Sequence, residues 1–151
     1  MIPTQIEREI VIDAPIDLVW RVVTEPDQIK RWFAAEAELE PRVGGQGRFA
    51  FKEGDSFQLQ VEAMEPPRRF AFRWVNPECS PAREDNSMLV EFTLQPEAGS
   101  TRLRVVESGF DRVDWSDEKK AKYASDHSQG WELYLGRLAE FAPRASSEAR
   151  E

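Results

Sequence analysis

The stretch Asp126 to Ala142 constrains the chain most, because its pattern fits only one kind of element. Trp131, Tyr134, Leu135, Leu138, Phe141 and Ala142 recur at i, i+3, i+4 and i+7, which is one face of a helix. His127 lies one turn before Trp131 and shares that face. Gln129, Glu132, Gly136 and Glu140 take the opposite side. Gly130 and Gly136 each cost ~1 kcal/mol against alanine. Burying Leu135, Leu138 and Phe141 contributes up to roughly 1.5–3 kcal/mol apiece. Packing outweighs propensity, so this helix needs a broad apolar surface to lie on.

The rest of the chain reads as that surface. Gln5 to Asp13 predicts a strand, with Ile6, Ile10 and Ile12 of one parity. Ala14-Pro15 opens a helix whose face is Ile16, Val19, Trp20 and Val23. Glu25-Pro26-Asp27 interrupts it, and a second short helix carries Ile29, Trp32 and Phe33. From Glu36 to Ser108 the period drops to two. Inward rows are expected at Ala37/Leu39, Phe49/Phe51, Phe57/Leu59/Val61/Ala63, Phe70/Phe72/Trp74, Met88/Val90/Phe92/Leu94 and Leu103/Val105. Turns are expected at Pro41–Gly47, around Gly54, at Glu65–Arg68 and at Pro96–Gly99, with a longer loop from Asn76 to Asn86. Short turns between consecutive strands imply an antiparallel meander. The expected architecture is α+β: one strand, two short helices, six strands and one long helix, a seven-stranded sheet curving around the C-terminal helix.

At 151 residues the chain is expected to be a single domain over 1–145, followed by a disordered tail at 146–151. A net charge of -8 repels a nucleic-acid backbone and an anionic membrane surface. No apolar run approaches ~18 residues, so no membrane insertion is expected. A single cysteine, Cys79, cannot form an internal disulfide, which fits a reducing, cytoplasmic setting. One histidine and one cysteine offer no metal-ligand spacing, and Val43-Gly44-Gly45-Gln46-Gly47 lacks the lysine of a phosphate loop. No metal or cofactor is expected.

Several local motifs occur in a definite order. Ile12-Asp-Ala-Pro15 precedes Val19-Trp20, then come Pro26, Trp32-Phe33, Gly44-Gly45, Pro66-Pro67 before Phe70, and Trp74. Glu107-Ser-Gly-Phe110 and Gly130-Trp131 with Leu135 and Leu138 close the set. Together they resemble the family related to the activator of heat-shock protein 90 ATPase, within the START/polyketide-cyclase-like superfamily. The resemblance spans about residues 5 to 142. It implies a helix-grip fold with a hydrophobic cavity between sheet and helix. Members range from ligand carriers to cyclases and cochaperones, so fold alone does not fix function. The eukaryotic cochaperones also carry a separate N-terminal module, for which this length leaves no room.

Strand parity continues the row Leu103, Val105 to Glu107, which points that carboxylate at the helix and the cavity. A buried carboxylate needs partners, and His127 on the inward helix face is the nearest candidate. Paired, the two offer polar anchors to a ligand, or a general base oriented by an acid. The alternative is a strand that ends by Glu107, with its carboxylate in solvent and His127 near the helix cap. Trp32, Phe72, Trp74, Phe92, Phe110, Trp131 and Tyr134 complete the expected cavity lining, drawn from an aromatic set that also holds Phe33, Phe51 and Phe57, against the alternative of ordinary core. Trp74, Trp131 and Tyr134 are favoured because their N–H or O–H groups need partners. Ser116 is a candidate N-cap in the charged stretch Asp111–Lys122, and Phe110, Val113 and Trp115 are candidates for a lid. No acid–base–nucleophile set is assembled, so catalysis is not expected to be the main role. The reading favoured is binding of a hydrophobic small molecule. Its alternatives are a cochaperone-like partner of a chaperone ATPase and a polyketide cyclase/dehydratase-like enzyme using Glu107 and His127.

Overall fold

The structure is a computed structural model and describes residues 5–51, 56–75, 86–113 and 115–148. Strand β1 (Gln5–Ile12) leads into helices α1 (Ile16–Thr24) and α2 (Pro26–Trp32). Six strands follow: β2 (Glu36–Leu39), β3 (Gln46–Ala50), β4 (Ser56–Glu65), β5 (Arg69–Val75), β6 (Met88–Glu97) and β7 (Ser100–Ser108). Helix α3 (Asp117–Glu148) closes the chain. The strands form one antiparallel sheet in the order β1-β7-β6-β5-β4-β3-β2. This is the expected α+β helix-grip fold: a curved seven-stranded sheet around a long C-terminal helix, with two short helices after the first strand.

Alternation fixes which face of the sheet is covered. Phe49, Leu59, Val61, Phe70, Phe72, Trp74, Val90, Phe92, Leu94, Leu103 and Val105 are buried on the inner side. Trp131, Leu135, Leu138 and Ala142 of α3 meet them, as the helical period requires. The register slips between Val61 and Ala63 on β4, where an extra residue bends the strand and supports the curvature. The outer face carries glutamate–arginine pairs such as Glu7–Arg104 and Glu9–Arg102. Exposed pairs of this kind add little stability but keep that face polar.

Both short helices have identifiable boundaries. Pro15 and Pro26 sit where a helix start loses no hydrogen bond, and Glu25 between them is extended. Trp32 locks the two together by donating its indole N–H to the Val22 carbonyl at 3.0 Å. The glycine turn before β3 is pinned to β4 by Gly44 N–H to Val61 O (2.9 Å) and Val61 N–H to Gly45 O (2.8 Å). A Cβ on Gly45 would stand 2.4 Å from the Glu40 carbonyl, so no larger residue fits there.

Three features differ from the periodicity. Helix α3 starts well before Asp126, because Ser116 caps it: Ser116 Oγ accepts the Lys119 N–H at 3.1 Å. Much of the charged stretch is thus the helix's solvated first turns. At the far end the helix backbone runs on to Glu148, into the stretch expected as a tail, whose last residues lie outside those described. The β6–β7 turn is tighter than expected, since Glu97 already pairs with Ser100. Ala98 and Gly99 alone make that turn, both at positive φ (52° and 88°). The expected Asn76–Asn86 loop and the turn around Gly54 fall almost wholly outside the described residues, Cys79 included.

A two-residue turn with positive φ at both positions favours asparagine-glycine, whereas alanine pays a steric cost there. Ala98→Asn is therefore expected to stabilise the fold by about 0.5–1 kcal/mol, read as a higher midpoint in chemical denaturation with an unchanged slope. A lower midpoint would show that the turn does not adopt this form.

Candidate functional site

The last inward position of β7 is Glu107, whose side chain has no exposed surface. Four donors converge on it. Trp74 of β5 reaches past β6 to donate its indole N–H to Oε2 at 2.9 Å. Trp131 of α3 donates its indole N–H to Oε1 at 2.9 Å, and His127 Nδ1 lies 3.0 Å from the same oxygen. The Tyr123 hydroxyl completes the set on Oε2. An indole can only donate, and an ionised carboxylate only accepts, with two lone-pair sites on each oxygen. Two donors per oxygen fill those sites. A carboxylate that would be costly alone is thereby satisfied.

Periodicity explains the convergence. Tyr123, His127 and Trp131 follow one another at i, i+4 and i+8, one strip of α3 facing the end of β7. The Tyr123 and His127 rings stack at 3.6 Å between centroids and 19°. With its hydrogen on Nδ1, the neutral imidazole donates to Oε1 beside Trp131 and fills that oxygen's second lone-pair site. Its Nε2 then keeps a lone pair.

His127 also lines a cavity. A partly open hollow of about 280 Å³ is lined by Phe33, Phe51, Phe57, Trp74, Tyr123, Asp126, His127, Gly130, Trp131 and Tyr134. All four donors to Glu107 are in its wall. Stacked pairs build much of the remainder: Phe57 on Trp74 (4.7 Å, 26°) and Phe33 on Trp131 (5.4 Å, 10°). A cavity of about 150 Å³ already admits benzene.

The nine residues expected from the sequence separate clearly. Glu107, His127, Trp131 and Trp74 form the hydrogen-bonded cluster, and the last three line the cavity together with Tyr134. The alternative of a solvent-facing Glu107 does not hold, since the strand runs on through Ser108. Phe72 and Phe92 lie deeper, in packed core beside Val23 and Ile29, where no usable space remains. Trp32 is buried between the short helices and also borders a second hollow. Phe110 is buried edge-on against Tyr123, whose ring also meets Trp115. Tyr123, Asp126 and Gly130 were not expected in the lining. The signal for Tyr123 was present, because it extends the Trp131–His127 strip by one more turn.

Burial pushes the Tyr123 hydroxyl well above the ordinary tyrosine range, and the Glu107 charge and hydrogen bond add to this. The folded protein thus holds this proton to higher pH than the unfolded chain does. The associated stability is fully present below the unfolded tyrosine value of about 10 and is lost as pH rises above it. Alkaline titration is expected to show Tyr123 ionising only as the fold is lost, with Tyr123→Phe removing that part of the alkaline destabilisation. Ionisation of both tyrosines within the native state would contradict the arrangement. Glu107→Gln leaves one acceptor oxygen for four donors and is expected to cost about 2–4 kcal/mol in denaturant titration.

Comparison with known proteins agrees with this architecture. The family model described as Activator of Hsp90 ATPase homolog 1-like protein matches residues 13–142. Comparison with curated proteins gives no match. Among solved structures, protein MLL2253 from Mesorhizobium loti superposes with a TM-score of 0.78 at 23% identity, covering 93% of this chain and 97% of its own. CalU16 from Micromonospora echinospora gives 0.69 at 28% identity, with 91% and 73% covered. The Aha1 dimer from Colwellia psychrerythraea gives 0.74 at 17% identity, with 91% and 95% covered. Among the described residues no helix is long and apolar enough to cross a membrane.

Proposed function

The chain belongs to the Activator of Hsp90 ATPase homolog 1-like family, within the START/polyketide-cyclase-like superfamily, and we propose that it binds small planar hydrophobic molecules. The observation that carries this reading is the aromatic cavity whose wall is fixed from behind by Glu107. Apolar rings supply most of the contact, and a few placed polar groups orient the ligand, as in most small-molecule sites. His127 Nε2 is the polar group offered, so a ligand hydroxyl or N–H would donate to it. Stacking surfaces on Trp74, Phe57, Tyr134 and Trp131 favour a flat partner over a branched one.

The pairing of His127 with Glu107 supports a second reading. An imidazole held by a carboxylate, with its other nitrogen facing a bound molecule, has the arrangement of a general base. In that case the chain would act as a cyclase- or dehydratase-like enzyme, with His127 taking a proton and Glu107 positioning it. A chaperone ATPase partner, which the family description suggests, would use the acidic outer surface rather than the cavity.

Native mass spectrometry of gently purified protein, followed by organic extraction, tests the binding reading. A lipophilic adduct near one per chain, reduced at least several-fold in Trp74→Ala, is the expected result. A clean apo mass, with no thermal shift from any member of a planar aromatic panel, would overturn it. The same extraction decides between carrier and enzyme: recovery of an added ligand altered by the wild type but intact from His127→Ala supports the base reading.

A further inference from the structure

A second hollow, of about 270 Å³, adjoins the first. The two share Phe33, Phe51 and Tyr134 in their walls. Its character is different. Lys30, Arg31 and Arg137 line it, and no carboxylate does. The chain as a whole carries a net charge of -8, so three cations around one concavity run against its overall charge. Several arginines on the sheet's outer face are answered by glutamates, as Arg102 is by Glu97 and Glu9. No ion pair among the described residues engages Lys30 or Arg137. Arg137 instead lies over the Tyr134 ring at 5.4 Å, on the wall that divides the two hollows.

We propose that this hollow is an oxyanion subsite, and that the cavity's ligand is an aromatic molecule carrying a carboxylate, sulfonate or phosphate. The inference rests on the binding reading above and adds the ligand's charge and orientation to it. The ring body lies in the first cavity, and the oxyanion reaches past Phe51 and Tyr134 to Lys30 and Arg137. The opposite orientation is disfavoured, because the first cavity's lining holds no lysine or arginine, and its Asp126 is an acid paired with Lys122 at 3.0 Å. The ligand is thus polarised: an uncharged or donor end at His127, an anionic end at the basic hollow. Guanidinium and ammonium groups form the charge-assisted hydrogen bonds that oxyanions favour.

Two dyes with the same ring body separate the two claims. Anilinonaphthalene sulfonate carries the anion, and N-phenyl-naphthylamine lacks it. Fluorimetric titration of the full chain is expected to show the sulfonate dye bound about tenfold tighter, a preference that falls as salt is raised. In the double variant Lys30→Gln/Arg137→Gln the preference should shrink to about twofold or less, and Lys30→Glu/Arg137→Glu should reverse it. Both side chains are exposed, so folding is checked by the thermal transition of each variant. If a variant lacks that transition, the salt dependence of the wild-type preference decides. Competition by naphthaleneacetate and by naphthyl phosphate then tells a carboxylate ligand from a phosphate one. Equal affinity for both dyes in the wild type, or a preference that survives the double variant, overturns the subsite while leaving the cavity reading intact. Failure of both dyes to bind overturns both.

Discussion

One carboxylate sets the geometry of this protein's interior. Glu107 sits with no exposed surface at the end of β7, and its two oxygens take donors from β5 and from three successive turns of α3. Burying a charge is expensive, and even a fully paired one often adds no net stability over an apolar replacement. What such a cluster adds is definition. Trp74 and Trp131 cannot rotate without leaving a buried indole N–H unmatched, and Tyr123 and His127 close the carboxylate's remaining sites. Four rings held in this way keep a hollow open between sheet and helix, where freely packing side chains would close it.

The contrast within the core follows from that constraint. Around Phe72 and Phe92 every side chain is apolar, neighbours interdigitate, and no space remains. Around Glu107 the rings are fixed by hydrogen bonds and by stacking on Phe57 and Phe33, and space persists. The polar end and the dry end of one continuous core thus behave differently. The first borders the hollow; the second packs against the helix. Curvature from the β4 irregularity and the wedge of α1 and α2, tied by Trp32 to Val22, complete the cavity's surroundings.

Much of this was legible in the residues, and particular positions show why. The parity of Leu103, Val105 and Glu107 pointed the carboxylate inward, while whether the strand reached that far was settled only by its pairing through Ser108. The helical phase of Trp131 and Leu135 was enough to place His127 opposite it. Tyr123 was harder, since Lys119, Lys120 and Lys122 around it read as a solvated lead-in rather than the helix's first turns. Trp32, Phe72 and Phe92 show a deeper limit. An aromatic side chain fills a core and lines a cavity equally well, and which it does depends on where neighbouring elements settle. The basic hollow was illegible for the same reason. Lys30 and Arg31 lie far from Arg137 in sequence, and only the packing of α2 beside α3 brings them around one space.

The imidazole of His127 links the buried carboxylate to the cavity wall. The chain has one histidine, so nitrogen NMR of the labelled protein reports on His127 without ambiguity. Couplings from the ring carbons to each nitrogen identify which one carries the hydrogen of the neutral form. The contact with Glu107 predicts hydrogen on Nδ1 and a lone pair on Nε2, with that tautomer lost in Glu107→Gln. Hydrogen on Nε2 in the wild type, or fast exchange between the two tautomers, would contradict it.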